Sequence, residues 1–431
     1  MREQLIVTLL ALIQLCWCQS LPPIQNKTIT LPAPLKRGID AWRLWVMRNM
    51  YVYPLYLVPL DNGQSLIGWT DSSNTGHVSL LDEDESNLIW TRNFSEIVRG
   101  VTTKTGVSDG SFAVLLWNET AATIHLAFIS GENEVVWDTN SIVITQPWPS
   151  TPTNFKIGDS RVAHGKIGFF SIYYHVHSFD GHEGDALYYF NDTTGIKRPN
   201  TGWGWGCSHS MNSLLDFHPT SQKSMALCVS DCYSDKAILV FNGRYTIQKI
   251  NANCAGGAAA ELGGMVAGFD TWGVAFTSQT DTQLSDGPPK QVEVGYMVLD
   301  GTTGKPLQNN VTWLTSPSGK AWKADASLAR WGPFPTSNES DHRVLVGWAT
   351  DPLGANVTTE WYGTSKNMKY SVAVLNGKTG EFIEGPYDVT DSTSWGCRDD
   401  SFKTTSDGSV MWVHGRPNSN ILRIGKFKYK I

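Results

Sequence analysis

The chain has 431 residues, 41% of them hydrophobic and 17% charged, so it can bury a large core. Its length alone would allow about two or three domains. Its formal net charge of −6, without any long basic run, argues against nucleic acid as a partner, because phosphate binding needs a concentrated basic surface. Forty Gly, twenty Pro and eighteen Trp favour many short strands joined by turns.

The first twenty residues have the composition of a secretion signal. Arg2 precedes the apolar run "LIVTLLALIQL", and cleavage is expected between Cys18 and Leu21. No later segment approaches the roughly 20 apolar residues that span a bilayer. We therefore expect a secreted, extracellular protein with no membrane span. Asn-x-Ser/Thr sequons predict glycosylation at Asn26, Asn93, Asn118, Asn191, Asn310, Asn338 and Asn356.

The rest of the chain repeats short strands and tight turns. Apolar runs end in Asn, Asp or Gly turns from "VSLLDEDESN" through "LYYFNDTTG" to "VAVLNGKTG", and a last run of this kind, "ILRIGKFKYKI", ends the chain. Another strand precedes each of them, such as "FAVLLWN" or "VMWVHGRP". Seven such units of roughly 50 to 75 residues are typical of a β-propeller. A generic all-β protein with coincidental hairpins is the alternative.

We predict an all-β fold, a seven-bladed β-propeller closed by an N-terminal strand. Each blade has strands A to D from the centre outward, with "YPLYLVPL" (Tyr53–Leu60) as the first strand A, and the last unit ends without a strand D. Because an open edge invites aggregation, a segment within Ile24–Met50 is expected to supply it. The predicted boundaries are a signal peptide at 1–20, an N-terminal extension with the ring-closing strand at 21–42, and one propeller domain at 43–431.

Trp-Gly-Cys occurs twice, in "TGWGWGCSHS" and in "SWGCRDDSF". Both copies fall in links from one blade's strand D to the next blade's strand A, and these links share one face of a propeller with the B–C loops. The histidines of "YYHVHSFDGHEGD" reach the same face, so we expect a groove around one channel mouth. The residues predicted to contact substrate there are His175, His177, Trp203, Trp205, Arg244 and Asp399.

Five cysteines remain after the signal is removed, and four of them approach this face in the fourth and fifth blades. Two disulfides that leave Cys397 unpaired are one interpretation, which the secretory route permits. A structural zinc held by some of the four, with or without His209, is the other, because zinc prefers tetrahedral thiolate and imidazole ligands. The four residues are Cys207, Cys228, Cys232 and Cys254.

No nucleophile elbow, HExxH helix, P-loop or dinucleotide fingerprint occurs in a suitable setting. A groove with neutral His, Tyr, Arg and Trp suits β-elimination on an acidic sugar. A base with a pKa near neutral, such as His or an ionised Tyr, removes the proton beside the uronate carboxylate. Arg stabilises the charge that develops on that carboxylate, and Trp faces stack against sugar rings.

The histidines of successive blades, in "HSFDGHEGD" and "WGCSHS", resemble those of the secreted β-propeller polysaccharide lyases of the ulvan-lyase type. The resemblance spans roughly Arg43 to Ile431 and implies cleavage of a uronate-containing, anionic polysaccharide by a His pair, a Tyr and an Arg. The residues that it implies are His182 and His209 as the pair, Tyr233 as the acid or base, and Arg398 or Arg244 as the carboxylate partner.

Two other functions remain open. A secreted propeller without catalysis would bind glycan or protein through the same face, because propellers host many unrelated functions. A glycoside hydrolase would instead use two carboxylates whose separation suits retaining or inverting chemistry. The candidates for that pair are Asp231, Asp399, Asp400, Glu183 and Asp185.

Overall fold

The fold is that of a computed structural model of the chain. All regular structure in the described part is β, with no helix, so the predicted fold class is confirmed. No helix in that part is long and apolar enough to cross a membrane. The structure describes residues 24–36, 39–42, 50–52, 55–143, 155–178, 183–202, 213–230, 236–240, 245–251, 261–278, 293–307, 311–315, 324–331, 342–350, 369–389, 402–415 and 418–427.

Three short strands come before the first blade: β1 (Gln25–Thr30), β2 (Ile39–Trp42) and β3 (Met50–Val52). β2 and β3 pair with each other as a separate two-stranded sheet. β1 pairs instead with a strand at the far end of the chain. The first described strand is therefore part of the last sheet.

The larger sheets are numbered here by the chain order of their inner strands, and sheets 1 to 3 are antiparallel meanders. Neighbouring strands are consecutive in sequence, as the predicted A to D order requires, except that β12 of sheet 2 pairs with β10. The strands are β4 (Tyr56–Pro59), β5 (Ser65–Thr70), β6 (Gly76–Leu81) and β7 (Leu88–Phe94) in sheet 1, β8 (Ile97–Thr102), β9 (Phe112–Asn118), β10 (Thr123–Ile129), β11 (Val135–Asp138) and β12 (Ile142–Val143) in sheet 2, and β13 (Phe155–Gly165), β14 (Phe169–Ser178) and β15 (Glu183–Asn191) in sheet 3.

Sheets 4 to 7 continue the same order along the chain, and sheet 7 takes β1 as its fourth strand. The strands are β16 (Ser213–Phe217), β17 (Ser224–Ser230), β18 (Lys236–Val240) and β19 (Tyr245–Asn251) in sheet 4, β20 (Glu261–Gly268), β21 (Thr271–Ser278), β22 (Glu293–Asp300) and β23 (Thr312–Trp313) in sheet 5, β24 (Ala324–Trp331), β25 (Arg343–Thr350), β26 (Lys369–Asn376) and β27 (Phe382–Asp388) in sheet 6, and β28 (Lys403–Thr404), β29 (Val410–Gly415) and β30 (Ile421–Phe427) in sheet 7.

Six of these sheets have four or five described strands and are blades of a β-propeller, against the seven blades predicted. Sheet 3 has three described strands. An isolated bridge between Phe190 and Lys197 follows its last strand, at the position where sheet 5 has a bridge between Leu299 and Pro306. The fold class is therefore a β-propeller, with sheet 3 differing from the other sheets in its described strand content.

An N-terminal strand closes the ring, as the sequence predicts. The strand order of sheet 7 is β1–β30–β29–β28, so β1 is the missing outer strand. The residues after β1 continue to sheet 1: the Leu35 amide donates to the Ser419 carbonyl at 2.8 Å, and the Lys36 amide donates to the Thr70 carbonyl at 2.9 Å. The N-terminal segment thus joins the last sheet to the first.

The core consists of apolar clusters, each of which lies between two consecutive sheets. Leu115 and Trp117 of sheet 2 pack with Phe170 and Ile172 of sheet 3, for example. Strands whose two faces both meet a neighbouring sheet are apolar throughout, which is why β9 reads "FAVLLW" rather than alternating with polar residues. This face-to-face packing leaves strand A of each sheet beside a central channel.

Tight turns with Asp and Gly join strand A to strand B in sheets 2 and 7. In both copies of "SDGS", the Asp carboxylate accepts the amide of the following Ser, at 2.8 Å for Asp109 and 3.0 Å for Asp407. Gly110 and Gly408 take positive φ angles of 82° and 77°, which glycine adopts without steric cost. The predicted A–B turns are therefore present where the sequence repeats them.

Candidate functional site

Most of the predicted site residues lie outside the described part of the chain. His175 and Asp185 are the predicted residues of this face whose side chains are described, whereas His177, Glu183 and Cys228 are placed only as positions in β14, β15 and β17. Their assignments to catalysis, substrate or metal therefore stay predictions. The residues outside the described ranges are His182, Trp203, Trp205, Cys207, His209, Cys232, Tyr233, Arg244, Cys254, Arg398 and Asp399.

His175 lies inside sheet 3 and is 1% exposed. It stands opposite Asp185 in the pairing of β14 with β15. On its other side it contacts Gly158, where a Cβ atom would come within 2.3 Å of the histidine Nδ1. Tyr173, two residues earlier on β14, donates its hydroxyl proton to Asp185. Sheet 3 thus buries a His–Tyr–Asp group close to the B–C loop that carries His182.

The central channel contains a cavity of about 490 Å³, within the usual size range of ligand pockets. It is lined by the second halves of the A strands of sheets 1 to 5, by the start of sheet 7 and by several A–B turns. The cavity lies at the end of the channel where the A–B turns are, opposite to the end at which the sequence predicts the groove. That groove depends on links outside the described residues. The polar residues at its wall include Asp61, Thr102, Arg161, His164, Asp216 and Lys403.

Arg161 lies at the wall of this cavity and is held by a buried carboxylate. Its Nη1 donates to Asp159 Oδ1 at 3.0 Å and to the Ser160 carbonyl at 3.1 Å. The Asp159 side chain is 1% exposed, whereas that of Arg161 is 16% exposed. The guanidinium therefore presents a cation to the cavity while its counter-ion stays inside the protein.

The position of Asp159 results from a β-bulge. The pairing of β13 with β14 shifts between Ile157 and Ser160, so Gly158 and Asp159 stand opposite a single residue of β14, His175, and one residue is extra. A bulge of this kind re-aims side chains and occurs often beside functional sites. Strand A of sheet 2 has a matching shift between Val98 and Gly100, which contains Arg99. Bulges in two neighbouring A strands therefore bring charged residues into the interior.

Arg99 is completely buried between sheets 2 and 3. Its Nη2 donates to the Ile157 carbonyl at 2.7 Å, and the Ser160 hydroxyl donates to the Arg99 carbonyl at 2.5 Å. Burial lowers the pKa of the Arg99 guanidinium and raises the pKa of the nearby Tyr56 phenol. Tyr56 consequently stays protonated and is a hydrogen-bond donor rather than a base in this environment.

His164 lies at the cavity wall near the A–B turns, in a fixed neutral tautomer. Its Nδ1 accepts the Thr105 amide at 2.9 Å, so Nε2 carries the proton that it donates to Asp192 at 3.1 Å. Burial lowers the pKa of His164, although the hydrogen bond to Asp192 opposes this. Both ring nitrogens are in use, so this histidine joins sheets 2 and 3 rather than serving as a proton acceptor.

The cavity combines cations, carboxylates and hydroxyl groups. Arg161 and Lys403 supply positive charge, Asp61 and Asp216 supply acceptors, and Thr102 supplies a hydroxyl. Such a mixture matches a ligand with many hydroxyl groups, which both donate and accept hydrogen bonds. Among the described residues no group of three or more His, Cys, Asp or Glu could hold a metal ion. Of the four cysteines of the zinc hypothesis, Cys228 lies within the described residues and Cys207, Cys232 and Cys254 lie outside them.

The buried charged residues Arg99, Asp159 and Arg161 were not predicted from the sequence. A signal for them exists, because "IVRGVT" and "IGDSRVAHG" each place a charge within a short apolar strand and beside a glycine. Glycine in a strand often marks a bulge or a close backbone approach. The charge and the glycine together indicate a strand whose register shifts to accommodate a buried ion.

Comparison with known proteins adds no family to this description. No family model matches the chain, and no curated protein matches it. Among solved structures, the Pan2 WD40 domain of Neurospora crassa is 9% identical, with 96% of this chain and 98% of that chain covered and a TM-score of 0.44. An α-L-arabinanase of Penicillium chrysogenum is 10% identical, with 93% and 98% covered and a TM-score of 0.41. Similarity at this level carries no conclusion about function.

Proposed function

We propose that the protein is a secreted β-propeller that binds a uronate-containing glycan, with one sugar unit in the channel cavity and its carboxylate at Arg161. The observation that carries this proposal is the placement of Arg161, a cation held by a buried carboxylate at the wall of a cavity of ligand size. We further propose that sheet 3 is the seventh blade, because it packs between sheets 2 and 4 as a blade would.

Arginine suits a carboxylate because its planar guanidinium donates two parallel hydrogen bonds to it. The salt bridge to Asp159 fixes the side chain before a ligand arrives, which reduces the entropy lost on binding. Lys403 adds a second cation to the wall, while Asp61 and Asp216 suit the hydroxyl groups of a sugar. This division of roles supports an acidic sugar over a neutral one.

The test is isothermal titration with glucuronate and galacturonate oligosaccharides and with neutral oligosaccharides of the same length. We expect the acidic ligands to bind and Arg161→Gln to weaken them about 10- to 100-fold, because a hydrogen-bonded charge pair is lost. Arg161→Lys should bind the acidic ligands with an affinity between those of wild type and Arg161→Gln, since it keeps the positive charge but not the two parallel N–H donors. The matched control is Arg92→Gln on β7, an outer strand. Equal binding of neutral and acidic ligands would overturn the carboxylate assignment.

The catalytic form of this proposal is β-elimination at the other mouth of the channel, in which the His pair His182 and His209, with Tyr233 and Arg398, acts on a further uronate unit of the same polysaccharide. It is supported by the buried His175, Tyr173 and Asp185, which lie on the two strands that flank residues 179–182. A His in that loop would have a rigid, buried support behind it, as a positioned base requires.

Elimination produces an unsaturated uronate that absorbs ultraviolet light, so turnover is followed by absorbance. We expect His182→Ala and His209→Ala to lower kcat at least about 100-fold, the usual contribution of a general acid or base, while binding stays near wild type. Unchanged turnover in both variants would reject the pair. Binding without any turnover across a panel of uronate polysaccharides would leave the non-catalytic form of the proposal.

Secretion, glycosylation and the cysteine chemistry belong to the same proposal. Asn26 and Asn93 are exposed in the described structure, which suits carriers of glycan. Expression through a eukaryotic secretory route should give a mass that falls on enzymatic deglycosylation. Two disulfides would add four mass units on reduction, whereas a zinc site would appear as bound metal under native conditions and leave the denatured mass unchanged.

A further inference from the structure

Arg99 is a fully buried cation whose charge no described carboxylate neutralises. Its exposed fraction is 0%, and its Nε and Nη1 atoms are buried without a hydrogen-bond acceptor. Among the described residues, Nη2 is the one guanidinium nitrogen with a partner, the Ile157 carbonyl at 2.7 Å. Asp159 acts on Arg99 through its charge, but its ion pair is with Arg161. Two guanidinium groups therefore share one described carboxylate.

Tyr56 adds a third unsatisfied donor to the same place. It interacts electrostatically with Arg99, and its buried hydroxyl has no acceptor in hydrogen-bonding geometry. Ser160 lies beside it and donates its own proton to the Arg99 carbonyl at 2.5 Å, while the Tyr56 hydroxyl stays outside hydrogen-bonding geometry with the Ser160 oxygen. Buried donors in native proteins almost always have an acceptor, and a buried charge without a counter-ion is strongly unfavourable. These groups require an acceptor that carries negative charge.

We propose that a small monovalent inorganic anion, chloride, binds at Arg99 and Tyr56 at the junction of sheets 1, 2 and 3. Chloride accepts several hydrogen bonds, donates none and carries the single charge that the cluster lacks. The site is separate from the cavity in which a sugar carboxylate would bind, because Arg161 lines that cavity and Arg99 does not. The anion is thus a structural ligand that stabilises the folded ring by binding the native state alone.

Thermal unfolding in sodium chloride and in sodium gluconate at constant ionic strength tests the site. Wild-type protein should gain a saturable increase in Tm of about 1–3 °C with chloride or bromide. Arg99→Met should show no such gain, and in gluconate it should be at least as stable as wild type, since it removes an uncompensated buried charge. Arg423→Met, at an exposed position on β30, is the control and should keep the wild-type response.

Bromide-soaked crystals of the wild-type protein provide a measurement that does not depend on a variant that folds. An anomalous peak within hydrogen-bonding distance of Arg99 Nε and Nη1 supports the proposal. No peak there, no halide-specific change in the wild-type Tm, or a full halide response in Arg99→Met would overturn it. Because sugar binding is measured separately at Arg161, the failure of either proposal leaves the other intact.

Discussion

At the scale of single residues, backbone bulges decide where the interior charges lie. Arg99 and Asp159 each occupy a register shift in strand A of neighbouring sheets. Regular pairing would alternate their side chains between the two faces of the sheet, and each face is packed against apolar residues of the next sheet. The bulges instead bring the charges together around Arg161. The chemistry of the channel therefore depends on two local departures from ideal strands.

Two histidines give stability opposite dependences on pH. Burial lowers the pKa of His164, with Lys104 adding to the effect and Asp192 opposing it. For His125 burial acts in the same direction, but the hydrogen bond and charge of Asp138 outweigh it and raise the pKa. The stability that depends on neutral His164 is fully present above the unfolded pKa of about 6.5 and is lost as pH falls through the lower folded value.

The converse holds for His125, whose contribution is fully present below about pH 6.5 and is lost as pH rises through its raised folded pKa. Urea unfolding from about pH 5 to about pH 8 should therefore show that His164→Gln reduces the loss of stability at acidic pH. His125→Gln should cost more stability at acidic than at neutral pH. Parallel pH profiles for wild type and both variants would contradict these assignments.

At the scale of elements, the C–D turn of sheet 1 holds the strands of sheet 7. Glu85 lies in this turn with its side chain 3% exposed. It accepts a bond from Lys426 of β30 at 2.8 Å and pairs with Lys27 of β1 at 3.4 Å. One carboxylate therefore connects sheet 1 to both outer strands of the last sheet. The turn therefore links sheet 1 to sheet 7 at the junction where the ring closes.

Glu85→Gln should lower the free energy of unfolding by about 1–3 kcal/mol, because two lysines lose their shared carboxylate and the buried position loses its charge pairing. Glu83→Gln, an exposed residue of the same turn, is the control and should change it by less than about 0.5 kcal/mol. Urea denaturation measures both. Equal effects of the two substitutions would show that the contacts of Glu85 with the two lysines do not stabilise the junction of sheets 1 and 7.

At the scale of the whole molecule, stability depends on closing a ring from sequence-distant parts. β1 pairs with β30 over six residue pairs, and Ile29, Leu31 and Leu35 are buried in the cluster between sheets 7 and 1. Each sheet packs mainly against its two neighbours, so a break at any junction exposes two apolar faces. The N-terminal segment removes the edge that sheet 7 would otherwise present.

A chain that begins at residue 37 should lose at least about 5 kcal/mol of stability, because three buried aliphatic side chains and one strand pairing are removed. We expect such a protein to self-associate in size-exclusion chromatography through the open edge of β30. A synthetic peptide of residues 24–36 should restore the monomer, and a scrambled peptide should not. A truncated chain that stays monomeric and unfolds like the full-length protein would contradict this role.

The sequence by itself determined the β-propeller class, the A–B turns and the need for an N-terminal closing strand. These features depend on local rules: apolar runs of strand length, Asp-Gly turns with positive φ, and a last unit that lacks its outer strand. The repeat is visible because each unit obeys the same rules independently. The sequence predicts seven four-stranded blades, whereas six sheets have four or five described strands and sheet 3 has three.

The tertiary structure alone decided which polar residues meet in the channel. Arg99 and Asp159 are 60 positions apart and come together only because strand A of each sheet lies beside the next. Their bulges shift the register by one residue, and a shift of one residue reverses which face a side chain occupies. A charge beside a glycine marks each bulge in the sequence, but no local pattern shows which bulges meet, since that depends on how two sheets pack around a common axis.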